Sequence, residues 1–151
     1  MPDRSGEELA DHISVIIRAL LVSGRQGAPA EGRLAFNPLH FHMLRIIGAG
    51  ETSRPSDIAD DLAVPRTTVS AAVKALQKKG LVRTAPDKSD GRAISISLTG
   101  DGRDVLAAIR RQDHRNASAM LGALPEKDRP AFLEAMGRIA RTMGLPPSKQ
   151  G

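Results

Sequence analysis

Residues 65–92 read PRTTVSAAVKALQKKGLVRTAPDKSDGR, and this stretch decides the fold. Pro65 suits a first helical position, where its missing N–H has no intrahelical partner to lose. Val69, Val73 and Leu76 follow at spacings of four and three and make one apolar stripe. Thr67, Ser70, Lys74 and Lys78 recur on the opposite side, so that face is short, polar and cationic. Ala71, Ala72 and Ala75 keep the helix slim enough for a DNA major groove about 12 Å wide. Gly80 is expected to cap its end. Taken alone, the segment reads equally well as an ordinary amphipathic surface helix.

The residues that follow decide between those readings. Residues 81–84 read as a strand. Ile94, Ile96 and Leu98 alternate with Ala93, Ser95 and Ser97, which makes a second strand with one buried face. Between them APDKSDGR, residues 85–92, is rich in turn formers and reads as a hairpin tip carrying Lys88 and Arg92. A helix followed by a hairpin with a cationic tip is the layout of a winged helix. In that layout the helix reads base edges and the tip reaches the backbone or minor groove.

The charge is placed accordingly. Within residues 65–92 the basic residues are Arg66, Lys74, Lys78, Lys79, Arg83, Lys88 and Arg92, and the acids are Asp87 and Asp90 only. The difference equals the formal net charge of the whole 151-residue chain, +5, so the remainder is balanced. A chain that concentrates its net charge on one helix and one turn is built to meet a polyanion there.

TTVSAAVKALQKKGLV, then DKSDGR, then ISLTGDG resembles the MarR family of bacterial transcription regulators. The Asp90-Gly91-Arg92 tip and the Leu98-Thr99 that follows match the wing signature of that family. The resemblance covers residues 39–102 by motif, and the whole chain by element order and length. It implies that Arg92 enters the minor groove and that Asp90 helps to hold it. It also implies a homodimer, acting as a repressor on a palindromic operator. This chain has alanine at 71 and 72, where the family helix often carries a larger polar or basic side chain.

Composition agrees with a DNA-binding protein. The length fits one domain or one protomer of an oligomer. No apolar run is long enough to span a membrane, and no signal peptide is read at the start, so a cytoplasmic protein is expected. The chain contains no cysteine, which excludes disulfides, thiolate metal sites and thiol-based sensing. Three phenylalanines are its only aromatic residues. Single strands are usually held by aromatic stacking, so duplex DNA is the favoured partner.

Catalysis is not expected. His40 and His42 are two residues apart on a helix and point in different directions, so they do not form the i, i+4 pair that binds zinc. Gly48-Ala49-Gly50 lacks the lysine and spacing of a phosphate loop. Neither a metal nor a cofactor is expected. The alternative function is a winged helix used as a protein-interaction module without specific DNA binding.

The rest of the chain frames this centre. Residues 7–22 read as a helix with a wide apolar face, Leu9, Ile13, Ile16, Ile17, Leu20 and Leu21, which packs on its own domain or on a second subunit. Residues 24–32 are a glycine-rich loop. Asn37 caps a helix that starts at Pro38 and runs to about Gly48. Pro55 starts a short helix that forms a helix-turn-helix with the one after Pro65. Arg54, Ser56 and the backbone N–H groups there either hold a phosphate or serve as simple N-terminal capping. Thr99 caps a helix over residues 100–121, and a last helix begins near Asp128, after which residues 146–151 form a tail.

The expected fold class is therefore mainly α with a small antiparallel β hairpin. Residues 37–98 form the winged helix-turn-helix; residues 1–36 and 99–151 form a helical dimerisation region. The DNA-contacting candidates are Arg54, Ser56, Arg66, Thr67, Thr68, Ser70, Lys74, Lys78, Lys88, Asp90, Gly91 and Arg92. The resemblance further implies a small amphipathic aromatic effector bound between the dimer arm and the winged helix. Ile16, Leu20, Phe36, His40 and Met43 are the candidate lining, with Arg45 as the carboxylate partner; the same residues read as ordinary core.

Overall fold

The computed structural model describes residues 3–23, 34 and 37–143. The loop expected over 24–32, the candidate Phe36 and the tail expected over 146–151 lie outside the described residues. The order of elements is α1 (Arg4–Ser23), α2 (Pro38–Gly48), α3 (Pro55–Leu62), α4 (Arg66–Lys78), β1 (Val82–Pro86), β2 (Ile94–Leu98), α5 (Gly100–Gly122) and α6 (Arg129–Thr142). A 3-10 turn, Glu126–Asp128, precedes α6, and Pro130 falls in the first turn of that helix, where it blocks no hydrogen bond.

Local chemistry sets these boundaries. The Asn37 side chain accepts hydrogen bonds from the backbone N–H groups of Leu39 and His40 at 3.0 and 3.3 Å and so starts α2. Thr99 Oγ1 accepts from the Gly102 N–H at 3.0 Å and starts α5, while donating to the Gly80 carbonyl at 2.6 Å. The end of α4 differs from the expected cap by one residue: Lys79 is the cap and Gly80 follows it at φ +72°. There the Leu81 N–H donates to the Leu76 carbonyl and the Gly80 N–H to that of Gln77, at 3.0 and 2.9 Å. That pair of bonds is a Schellman motif, and Leu76 and Leu81 supply the buried apolar contact that accompanies it.

The turn between α3 and α4 has no glycine. Ala63 takes the left-handed conformation, φ 52° and ψ 42°, and its N–H bonds back to Ala59 and Asp60. A side chain with a Cβ pays about 1 kcal/mol or more for that geometry. The packing of α3 on α4 holds it in place.

One core unites the central elements. Met43, Leu44 and Ile47 from α2, Ile58 from α3, Val69, Val73 and Leu76 from α4, and Val105, Leu106 and Ile109 from α5 are all buried. The stripe expected on the 65–80 helix is therefore its core side, with Ala72 added. The two strands pair antiparallel from Val82 with Leu98 to Pro86 with Ile94. A bridge adds Ser53 to their edge: the Ser53 N–H donates to the Ile96 carbonyl at 2.9 Å and the Ile96 N–H to that of Ser53 at 2.8 Å.

The first strand starts one residue later and runs two residues further than the sequence indicated. The hairpin thereby projects past the helices, so Ile94 stays 52% exposed and only Ile96 and Leu98 face the core. The outer helices are different in kind. α1 keeps Leu9, Ile13 and Ile17 exposed, and α6 keeps Leu133, Met136 and Ile139 exposed. At about 1.5 Å per residue, the 23-residue α5 is roughly 34 Å long and carries α6 away from the core.

Candidate nucleic-acid interface

The polar side of α4 is open. Arg66, Thr67, Ser70, Ala71, Lys74 and Lys78 are exposed, and Thr68 is half-buried. Residues 69, 72, 73 and 76 anchor the opposite side in the core, so the helix is held firmly with its cationic face outward. Gln77 of α4 is tied to the wing: its Nε2 donates to Thr84 Oγ1 at 3.1 Å.

The hairpin tip, residues 87–93, is organised by Asp87. Its Oδ1 accepts from the Ser89 N–H at 2.8 Å, from Ser89 Oγ at 2.6 Å and from the Asp90 N–H at 3.1 Å. Arg54 closes the set: Nε donates to Asp87 Oδ2 at 2.9 Å, and Nη2 to Asp87 Oδ1 at 3.2 Å and to Ser89 Oγ at 2.9 Å. The Arg54 guanidinium, followed by the Ser89 hydroxyl and the loop amides, holds the Asp87 carboxyl far below the usual carboxylate range. Asp87 in turn raises Arg54 further above its ordinary value.

Arg54 thus faces the wing, bonded to Asp87 and Ser89. Asp90 meets Arg92 through the main chain: its Oδ1 accepts from the Arg92 backbone N–H at 3.1 Å and shapes the turn around Gly91. Asp87 was not singled out from the sequence, although an aspartate two residues before a serine in a turn is a local signal for such a cap. Lys88 and Arg92 are exposed on this braced tip. Among the described residues none of the seven cations of the stretch 65–92 forms an ion pair, and Arg83 donates to Ser97 Oγ.

The candidate effector residues do not converge. Leu20 and Arg45 line a cavity of about 400 Å³ between α1, α2 and α5, walled by Ile17, Leu21, Phe41 and Ile109 and rimmed by His42, Gln112, Asp113 and Asn116. Met43 is fully buried in the core, on another side of α2, and Ile16 is exposed and does not line the cavity. His40 faces a separate, open depression of about 470 Å³ with Leu39, Thr67, Thr68, Ala71 and Ala72. Desolvation and then Lys79 lower the His40 pKa. Partial desolvation and then Arg45 lower that of His42, against the opposing pull of Asp113. Arg45 is paired with Asp113. Among the described residues no cluster of side chains suits a metal ion, and no helix is long and apolar enough to cross a membrane.

A helix-turn-helix whose second helix is bare on its cationic side, followed by a braced cationic hairpin, defines a winged helix-turn-helix protein. The sequence model of the MarR family matches residues 36–93, the span from just before α2 to the tip of the wing. The HTH-type transcriptional regulator PecS of Dickeya dadantii (strain 3937) is 24% identical over 98 residues, which cover 65% of this chain and 59% of PecS. The chain thus spans less than two thirds of that relative. Streptococcus pneumoniae FabT, solved in complex with DNA, superposes with a TM-score of 0.77 at 17% identity, over 91% of this chain and 96% of FabT. The PcaV transcriptional regulator from Streptomyces coelicolor, solved with its natural ligand, superposes with a TM-score of 0.66 at 18% identity, over 90% and 92% of the two chains. These solved structures share the fold. The match to the MarR family is confined to the winged helix-turn-helix segment, and the curated relatives carry the name of HTH-type transcriptional regulators.

Proposed function

We propose that the protein is a sequence-specific repressor that binds a palindromic operator in duplex DNA as a homodimer. One observation carries the reading: among the described residues all seven cations of residues 65–92 are exposed and without an ion-pair partner, five of them, Arg66, Lys74, Lys78, Lys88 and Arg92, on a helix and a tip whose other sides are fixed. α4 presents Thr67, Ser70, Ala71 and Lys74 to a major groove, and Lys88 and Arg92 reach the backbone and minor groove beside it. α1, α5 and α6 form the dimer arm in this reading. The exposed apolar faces of α1 and α6 support it, because apolar stripes of that size are rarely left in water. A two-fold pair sets its two α4 helices about 34–36 Å apart, one turn of DNA. Selection of binding sites from random duplexes tests this: enrichment of an inverted repeat with half-sites about one turn apart is expected, and enrichment of no sequence would contradict specific recognition.

The cavity between α1, α2 and α5 is the proposed effector site. Its walls are apolar and its rim offers Arg45, His42 and Gln112, which suits a small amphipathic aromatic acid. A carboxylate ligand competes there with Asp113 for Arg45. Because the cavity joins the arm to the winged helix, its occupancy changes the spacing of the two recognition helices. The solved complex of PcaV with its natural ligand supports an effector in a protein of this fold.

A further inference from the structure

Arg54 stands directly before α3 and directly after Ser53, the residue bridged to β2. The segment entering α3 therefore holds the wing at two levels. The Ser53 backbone grips the hairpin at Ile96, near its base, and the Arg54 side chain grips the tip through Asp87 and Ser89. A two-stranded hairpin has little stability of its own, so its outer end needs such a hold to keep one shape. The charges fit this role. Asp87 offsets the charge of Arg54, whereas Lys88 and Arg92 on the same tip have no ion-pair partner among the described residues.

We propose that Arg54 is a positioning residue for the wing and not a phosphate ligand: through Asp87 it fixes the tip that presents Lys88 and Arg92 to duplex DNA. The inference rests on the DNA-binding reading above. Arg54 acts before binding, by ordering the tip in the free protein, which lowers the conformational cost of docking. It adds no counterion release of its own.

The test uses Arg54→Gln in the full chain, with two measurements. Duplex affinity is titrated over a range of salt, and backbone amide exchange at Ser89 and Asp90 is followed in the free protein. Affinity should fall roughly three- to tenfold. The slope of log affinity against log salt should be unchanged, and the tip amides should exchange faster. Asp87→Asn should give the same loss, and the double variant no more than either alone, since the two residues act as one unit. A salt slope flattened by about 0.9 for each subunit, with tip exchange unchanged, would make Arg54 a phosphate ligand and overturn the assignment. If the unmodified protein shows no salt-dependent duplex binding, the DNA reading falls and the role given to Arg54 falls with it. The exchange measurement needs no DNA, so it tells that failure apart from failure of the clamp.

Discussion

Gly102 lies so close to Leu81 that a Cβ placed on it would sit 1.9 Å from the Leu81 carbonyl oxygen. That oxygen also accepts the Thr99 N–H at 3.0 Å, so it cannot swing away without loosening the start of α5. The contact locks α5 against the residue that links α4 to the wing. Gly102→Ala should therefore destabilise the fold by about 3 kcal/mol, the cost of forcing two backbones apart. Urea unfolding of the two proteins measures it, and a loss under about 1 kcal/mol would mean that the junction yields.

The Asp87 carboxyl should titrate well below an ordinary aspartate. Its folded-state pKa is lowered, so its contribution to stability is complete above the unfolded value, about 3.9, and is lost as pH falls through the folded value. The protein should hold its wing ordered at pH 4 and lose that order only in stronger acid. Carbon NMR of the carboxyl should find it still ionised at about pH 3, and Arg54→Gln should move the midpoint upward. A midpoint near 3.9 in the unmodified protein would contradict the ion pair.

An amphipathic aromatic acid that enters the cavity should stabilise the fold. At one hundred times its dissociation constant the gain is about 2.7 kcal/mol, visible as a higher melting temperature. Arg45→Ala should weaken the carboxylate contact by about tenfold or more, while a neutral analogue should be less affected. A panel of phenolic acids that leaves the melting temperature unchanged would count against the site.

The exposed stripe on α6 gives a test of the dimer. Leu133 and Ile139 are 56% and 48% exposed in the single chain, although each is large and apolar. Burying such a side chain is worth about 1.5–3 kcal/mol, and a two-fold interface counts each change twice. Leu133→Asp with Ile139→Asp should weaken association by about a hundredfold or more and leave the winged-helix core folded. Light scattering that shows the same dimeric mass for the variant, or a monomer for the unmodified chain at micromolar concentration, would contradict the arrangement.

The parts of this fold that were legible in the sequence are those set by near neighbours. Asn37 before Pro38 and Thr99 before Gly100 cap their helices through side chains that reach two or three residues along the chain. The stripe of Val69, Val73 and Leu76 needs only the helical period. Contacts across the fold were not legible. Arg54 and Asp87 are 33 residues apart, and nothing near Arg54 distinguishes a grip on the wing from a grip on phosphate. α2 is apolar on several sides, so its period alone did not tell Met43 in the core from Phe41 at the cavity. Ile94 fits the alternation of β2 but lies past the reach of the helices that cover Ile96 and Leu98.

The central claim is that the cations of α4 and the wing meet the phosphates and grooves of duplex DNA. Its most direct test is the salt dependence of duplex affinity in the unmodified protein, in Lys74→Ala and in Arg92→Ala. The unmodified protein should show a steep linear fall of log affinity with log salt, and each variant should bind more weakly with a slope flattened by about 0.9 per subunit. Equal affinity and equal slope in all three proteins would contradict the claim.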